Sequence, residues 1–288
     1  MTEQELTEQR TANWRTNGNA VRTIEDARSF VDTAGLCLMY PERSLPLVPS
    51  FMGAFAGSAA GLPDARRAFA DPRAQQATEL AVRLLREKSA FEINLSGDSI
   101  LMVSAPLFPF LYALVSDRTP KAPPRTKAHG AAVSALAASV FAALQEHGPL
   151  TKSQLQDHVG RETSLTALDR ALSELWSILK ITRVAYNSSE GASWDVLYRW
   201  APEAVKEGIQ ISVPEAISAL VSKYLESVVA AEQEEIEQFF SHLTSRSKIR
   251  EAVNALLQAR ELSLVNVGSR TLIRMTPPPE QQRRRQHG

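Results

Sequence analysis

Apolar residues recur every three or four positions through most of the chain, which is the period of an amphipathic helix. Alternating, strand-like patterns occur only in short runs, each followed by a break. The first clear helix is predicted over about residues 24 to 35, where Ile24, Ala27 and Phe30 form an apolar stripe and Thr23 occupies the N-cap position. We therefore expect a mainly α protein with small β-hairpins.

Residues 23–118 are interpreted as a divergent N-terminal helical domain that resembles a winged helix, preceded by a polar arm at residues 1–22. Residues 37–58 mix prolines and glycines with large apolar side chains, which predicts an irregular but buried connection. The later elements are a helix at Gln75–Lys88 and strands at Phe91–Leu95 and Ile100–Ser104, joined by a hairpin turn at Ser96-Gly97-Asp98.

An internal repeat follows. Ala132–Leu136 recurs as Ala216–Leu220 at an offset of 84 residues, and Ala171–Leu175 recurs as Ala252–Leu256 at an offset of 81. Two matches in nearly the same register indicate a duplication. Each copy has a long helix, a short helix, a second amphipathic helix and two strand-like runs, which is the winged form of the helix-turn-helix. The sequence thus predicts tandem winged helix-turn-helix repeats, with copies at residues 131–209 and 210–275.

The elements of the two copies follow from the same patterns. In the first copy they are helices Ala131–Glu146, Thr151–His158 and Ser164–Leu179 and strands Ile181–Tyr186 and Trp194–Trp200. In the second they are helices Pro214–Ala230, Gln233–Ser241 and Ser247–Arg260 and strands Leu262–Val267 and Thr271–Met275. A proline-rich, basic connector at residues 119–130 separates the copies from the N-terminal domain, and the proline- and arginine-rich tail at residues 276–288 is predicted to be disordered.

The composition of the chain argues against several classes of protein. The single cysteine, Cys37, excludes an internal disulfide and a cysteine zinc site, so a reducing cytoplasm is the expected location. The polar start MTEQELTEQR does not resemble a signal peptide. The longest apolar stretch, Ile100–Val115, is interrupted by two prolines and is too short to span a membrane. We expect no membrane association.

Three segments suggest a family. The sequence Gly148-Pro-Leu-Thr-Lys-Ser-Gln-Leu155, followed by Ala167–Trp176 and Val196-Leu-Tyr-Arg-Trp200, resembles the bacterial winged-helix DNA glycosylases that repair alkylated purines and interstrand crosslinks. The resemblance covers most of residues 24 to 275 and implies tandem winged helices, DNA as the partner and base excision by a glutamine-apolar-glutamine pair in the N-terminal repeat.

The matching place in this sequence, Ala34–Pro41, is apolar and contains no glutamine, so we expect the catalytic pair to be missing. We expect this segment to be buried and Cys37 to be an inert core thiol. A literal glutamine-apolar-glutamine occurs at Gln154-Leu155-Gln156 on a predicted helix. Its two glutamines are interpreted as surface residues of that helix. Asp32 and Glu42 are an alternative acid and base, although lone carboxylates at helix ends are common.

Other catalytic or cofactor signatures are missing from the sequence. His129, His147, His158, His242 and His287 have no metal-ligand spacing, and the sequence has neither a phosphate-binding glycine loop nor a serine elbow. The prediction is therefore no catalytic residue, no metal and no cofactor.

The best candidate for DNA contact is the second amphipathic helix of the last copy with its wing. Ile249, Ala252, Val253 and Leu256 form the inward side of this helix, which leaves its polar side outward. Arginine, lysine, asparagine and glutamine contact phosphates or base edges. The candidate nucleic-acid-binding residues are Arg246, Lys248, Arg250, Asn254, Gln258, Arg270 and Arg274. The corresponding middle helix is a poorer phosphate partner because it exposes Thr166, Arg170, Glu174 and Ser177.

Two other features bear on this surface. Trp194, Val196, Tyr198 and Trp200 alternate along one predicted strand and are interpreted as a packed wing face, with base stacking as the alternative. Acidic residues at Glu232–Glu237 would repel a DNA backbone, so a duplex is expected to approach from the helix-and-wing side. Thirty-two basic side chains balance 32 acidic ones, which argues against tight non-specific binding.

Three functions remain open at this point. The first is a tandem winged-helix protein that binds double-stranded DNA but has lost the family's base excision. The second is an active glycosylase for alkylated bases that uses other residues. The third is a protein-interaction module whose partner is unknown, because neutral winged helices also bind proteins.

Overall fold

The structure, a computed structural model, describes residues 1–126, 133–187 and 189–278. It is mainly helical with small antiparallel sheets, as the sequence predicts. Within these ranges no helix combines the length and the apolar character needed to cross a bilayer. His129, His287, the start of the helix predicted from Ala131 and the arginine-rich end of the tail lie outside the described residues.

The first unit comprises residues 24–104. Its helices are α2 (Ile24–Ala34), α3 (Phe51–Ala56) and α4 (Pro72–Arg86), with α1 (Glu3–Asn13) before them, and its strands are β1 (Leu36–Leu38), β2 (Ala90–Ser96) and β3 (Ser99–Ser104). The N-cap predicted at Thr23 is present, and Asp26 completes a capping box by accepting from the Thr23 backbone N–H. Strand β3 lies between β1 and β2, and the β2–β3 hairpin turns at Gly97 as predicted.

The middle unit comprises residues 135–196 and the last unit residues 213–275. In the middle unit the elements are α6 (Ala135–His147), β4 (Leu150–Thr151), α7 (Lys152–Val159), α8 (Leu165–Ser177), β5 (Ile181–Asn187) and β6 (Gly191–Val196). In the last unit they are α11 (Val213–Val228), α12 (Gln233–Phe240), α13 (Arg246–Gln258), β7 (Leu262–Val267) and β8 (Arg270–Met275). The connecting helices are α5 (Phe108–Val115), α9 (Leu197–Trp200) and α10 (Pro202–Gln210).

One turn is repeated after the third helix of every unit. Lys88, Leu179 and Arg260 each lie two residues beyond their helix with a φ of 55 to 62°, and a strand begins two residues later. Each donates its N–H to the carbonyl three residues back, and the next residue donates to the carbonyl five residues back. These paired bonds are the Schellman motif, which usually has glycine at the left-handed position. Leu179 and Arg260 are 81 residues apart, the offset found in the sequence.

A turn that contains a residue with positive φ follows the first helix of every unit. Gly35, Gly148 and Val229 have φ values of 69, 85 and 70°, respectively. Shortly after this turn, the chain pairs with the last strand of its own hairpin, through Leu36 to Val103, Leu150 to Trp194 and Ala231 to Ile273. The first unit therefore shares the Schellman motif and this strand pairing with the other two units, although its sequence does not match their repeat.

The first sheet lies between two hydrophobic clusters. Leu38, Ile93 and Leu101 are on one face and pack in a cluster shared with the last unit. Cys37 and Met102 are on the opposite face and pack against α2 and α4. The middle unit has a separate core around Phe141. Strong burial on both faces explains the continuous apolar character of the Ala34–Pro41 segment.

One sequence prediction is wrong. The strand predicted over Trp194–Trp200 ends at Val196, because the chain then enters α9, so Tyr198 and Trp200 do not continue the alternation of Trp194 and Val196. The polar N-terminal arm, to which the sequence pattern assigns no element, is helical over α1. Its Leu6 is buried against the last unit, and the Arg10 guanidinium donates to the Val228 and Ala230 carbonyls.

Candidate nucleic-acid interface

Helix α13 presents the polar face that the sequence predicts. Ile249, Ala252, Val253 and Leu256 are buried in the cluster of the last unit. The side chains that point to solvent include five of the candidate residues, namely Arg246, Lys248, Arg250, Asn254 and Gln258. The helix period therefore gives the correct orientation for every candidate on this element.

Arg250 has an acidic partner on the neighbouring helix. Its Nε donates to Glu237 Oε1 at 3.0 Å and its Nη2 donates to Glu237 Oε2 at 2.9 Å. These hydrogen bonds hold the pKa of the Glu237 carboxyl below its usual range, and Arg246 contributes further attraction. Because the Glu237 side chain is only 7% exposed, solvent weakens this bidentate pair less than a fully exposed one. A phosphate at Arg250 would have to compete with Glu237.

Arg270, on the wing, is also paired. Its Nη2 donates to both carboxylate oxygens of Glu3 at 2.9 and 3.0 Å, and its Nη1 lies 3.7 Å from Glu232 Oε1. Helix α1 thus lies against the tip of the last hairpin. Arg274 is half-buried on β8 opposite Ser263. The structure therefore pairs Arg270 with acidic side chains and leaves Arg274 half-buried.

Arg246 and Lys248 form no ion pair with any residue in the described ranges. Together with Asn254 and Gln258 they form an exposed surface of two cations and two amides, here called the α13 face. The acidic partners Glu237 and Glu3 were not predicted. The acidic run Glu232–Glu237 was visible in the sequence, but its pairing with Arg250 depends on how α12 packs against α13.

Helix α8, the middle unit's equivalent of α13, is less suited to binding a phosphate. Thr166 and Arg170 are exposed on α8, but Lys152 pairs with the nearby Asp169 at 2.9 Å. Glu174 accepts a hydrogen bond from the Ser134 N–H at 2.6 Å, which anchors the start of α6. Trp194 is buried edge-on against Trp176, with ring centroids 5.1 Å apart, and is therefore part of the packed core.

The segment that matches the family's catalytic position is buried, as expected. Residues Ala34–Met39 are buried, and Tyr40 and Pro41 are half-buried. Burial raises the pKa of the Cys37 thiol, which makes it a poor nucleophile. Desolvation also raises the pKa of Asp32, but this side chain is exposed on α2. Glu42 accepts from Ser44 and Ser99.

Gln154 and Gln156 have structural roles. Gln154 completes the capping box of α7 by accepting from the Thr151 N–H at 2.9 Å, and the Gln156 amide donates to the Thr163 carbonyl at 2.6 Å. His147 and His158 stack with ring centroids 4.1 Å apart. Across the described part of the chain, no three His, Cys, Asp or Glu side chains cluster in a way that could hold a metal.

Comparisons with known proteins identify a family and a similar solved structure. The family described as "DNA glycosylase AlkZ-like" matches residues 64–287. The solved structure of DNA glycosylase AlkZ from Streptomyces sahachiroi is similar over 97% of this chain and 72% of that chain, with 15% sequence identity and a TM-score of 0.56. That identity supports a similarity of fold alone. No curated protein sequence matches the chain.

Proposed function

The chain belongs to the AlkZ-like DNA glycosylase family, and from this membership we propose that it is a tandem winged-helix protein that binds double-stranded DNA without the glutamine-pair base excision of the glycosylases it resembles. The repeated turns support the winged-helix part of this proposal. Every unit ends its third helix in the same Schellman motif and then forms a hairpin, and the chain after the first helix pairs with that hairpin. Helices closed by such a hairpin are the elements of a winged helix.

The observation that carries the loss of base excision is the buried Ala34–Pro41 segment. It occupies the matching place and offers a thiol, a thioether and a phenol but no carboxylate or amide that could position a water molecule. The α13 face supports DNA binding, because it combines two cations that form no ion pair within the described ranges with two side chains of the type that hydrogen-bond to base edges.

Incubation of the protein with an alkylated duplex tests both parts together. Anisotropy of the labelled duplex reports binding, and cleavage at abasic sites by mild alkali reports base release. We expect binding without abasic sites above a heat-inactivated control. Base release above that control would contradict the loss of excision, whereas an unchanged anisotropy at low salt would contradict DNA binding.

A protein-interaction module is the second candidate function, favoured by the neutralisation of Arg250 and Arg270 by acidic neighbours. The last wing also exposes Leu264, which is 61% accessible. An exposed apolar side chain and neutralised arginines on the same unit suit a protein surface better than a phosphate backbone. Absence of duplex binding at low salt would favour this candidate.

A further inference from the structure

A cavity of about 120 Å³ lies between the first and middle units, on the opposite side of the first sheet from the last unit. Helix α4, strand β5 and the end of the Ala34–Pro41 segment form its walls. Most of its lining is apolar, from side chains such as Ala81, Val82, Leu85 and Ile100. The cavity is therefore suited to an apolar body rather than to water alone.

The cavity wall also contains a buried ion pair. Arg183 donates through Nε and Nη2 to the Glu92 carboxylate at 2.6 to 2.8 Å. The Glu92 side chain is 2% exposed and that of Arg183 is 26% exposed. Burying two charges costs free energy that an apolar pair would avoid. The Trp176 Nε1–H already joins these units by donating to the Glu92 carbonyl at 3.0 Å, so a structural link does not require the ion pair.

Hydrogen-bonding capacity remains in the same wall. The Arg183 Nη1 group donates to no residue in the described ranges. The Thr78 hydroxyl donates to the Ala74 carbonyl at 2.7 Å, so in the 3.0 Å contact between Tyr40 and Thr78 the Tyr40 hydroxyl is the donor. The Tyr40 oxygen therefore keeps its acceptor lone pairs. The wall offers a cationic donor and a neutral acceptor around an apolar space.

We propose that this cavity binds one planar, uncharged, nitrogen-containing aromatic ring, with Arg183 donating to it and Tyr40 accepting from it. The cavity volume of about 120 Å³ suits a single ring, because a cavity of roughly 150 Å³ holds a benzene molecule. An uncharged ring is favoured because Glu92 and Arg183 already neutralise each other. A ring with both an N–H and a ring nitrogen uses the donor and the acceptor together. Tyr186, which lines the cavity and is 47% exposed, provides an aromatic surface beside it.

This site does not depend on the proposed DNA function, because a free ring is sufficient to occupy it. The same chemistry is found in a free base and in a base rotated out of a duplex.

The probe that tests the site is 2-aminopyrimidine, with toluene as the apolar ring of similar size. Saturation-transfer NMR on the full chain measures both. We expect 2-aminopyrimidine to bind with a Kd on the order of 1 mM, as suits a ligand of this size.

Toluene should bind about tenfold more weakly, since it leaves the polar groups of the wall without partners. Two tryptophan variants on α4 provide the matched test. Val82→Trp fills the cavity and should abolish the 2-aminopyrimidine signal, whereas Gln76→Trp places the same ring on the exposed side and should preserve it. Circular dichroism checks that both variants fold.

The proposal is overturned if the full chain gives no 2-aminopyrimidine signal at about ten times the expected Kd. It is also overturned if folded Val82→Trp and Gln76→Trp give equal signals. Competition by a duplex with one mismatched pair would identify an extruded base as the source of the ring, and lack of competition would identify a free ligand. Duplex binding through the α13 face, measured separately, should be the same in both variants.

Discussion

Arg250 and Glu237 form a bidentate ion pair across α12 and α13, with both nitrogen–oxygen distances at or below 3.0 Å. The most central cation of the predicted DNA surface is thus held by an acid of the same unit. Under the proposed function, duplex affinity therefore depends on Glu237, which holds the Arg250 guanidinium.

Removing the acid should strengthen DNA binding. Glu237→Gln keeps the size of the side chain but releases the charge of Arg250, so duplex affinity at low salt should rise by about threefold to tenfold. Fluorescence anisotropy at several salt concentrations measures the effect. Glu234→Gln is the matched control, because it removes the same charge from an exposed position of the same helix. Equal gains in the two variants would mean that only net charge matters.

The same pair should make stability depend on pH. The pKa of Glu237 is lowered in the folded protein, so the pair stabilises the fold above the ordinary glutamate pKa of about 4.3. This stabilisation is lost as the pH falls through the lowered value. The native protein should therefore be more stable than Glu237→Gln at neutral pH, and this difference should shrink as the pH falls below the ordinary glutamate pKa and through the lowered value. Urea unfolding at neutral pH and at a series of acidic pH values measures the difference, and a constant difference would contradict the assignment.

Helix α1 should be part of the folded core. Leu6 is buried with Val267 and Leu272 of the last hairpin. Leu6→Ala should lower the free energy of unfolding by about 2–4 kcal/mol, as expected for a large-to-small change in a core. Thermal or urea unfolding measures this loss, and Thr7→Ala on the exposed side serves as the control. A loss no larger than that of Thr7→Ala would show that α1 does not stabilise the fold.

The left-handed residue after α13 offers a stabilising substitution. Arg260 has a φ of 62° and an exposed side chain, so glycine would relieve backbone strain there without removing buried contacts. Arg260→Gly should raise stability by about 0.5–1 kcal/mol, whereas Arg260→Ala should not. A rise in Tm for glycine alone is the expected result. Equal shifts for both variants would contradict the turn geometry.

Burial should keep Cys37 unreactive. Its thiol is fully buried and its pKa is raised, so a thiol reagent should label it only when the fold opens. Labelling at neutral pH should therefore be slow in buffer and fast in denaturant. Rapid labelling of the native protein would show that the Ala34–Pro41 segment is accessible, and would reopen its catalytic interpretation.

Elements with strong local signals were predictable from the sequence. The capping box at Thr23, the turn at Gly97 and the inward face of α13 all depend on residues close in the chain. The segment Leu197–Trp200 was wrongly predicted as strand because its aromatic alternation is equally compatible with a short helix packed in the shared core. Helix α1 has a single buried apolar residue, so periodicity gave no sign of it.

The candidate site was predictable only in part, because its ion pairs join residues on different elements of the fold. Helix period gives the outward direction of Arg250 and Asn254, but the partner of Arg250 lies 13 residues away on another helix. The partner of Arg270, Glu3, lies 267 residues away. Likewise, Glu92 and Arg183 meet only when the first and middle units pack together. Such contacts depend on tertiary packing, which no local pattern encodes.

Measuring the duplex affinity of the α13 face tests the proposed DNA binding most directly. Arg283, Arg284 and Arg285 are first replaced by glutamine in the full chain, so that the tail cannot attract DNA non-specifically. In that background, Arg246→Ala with Lys248→Ala should weaken duplex binding by about tenfold or more at low salt and reduce its salt dependence by about two charges. Equal binding by the folded double variant at the same salt would contradict the assignment of DNA binding to this face.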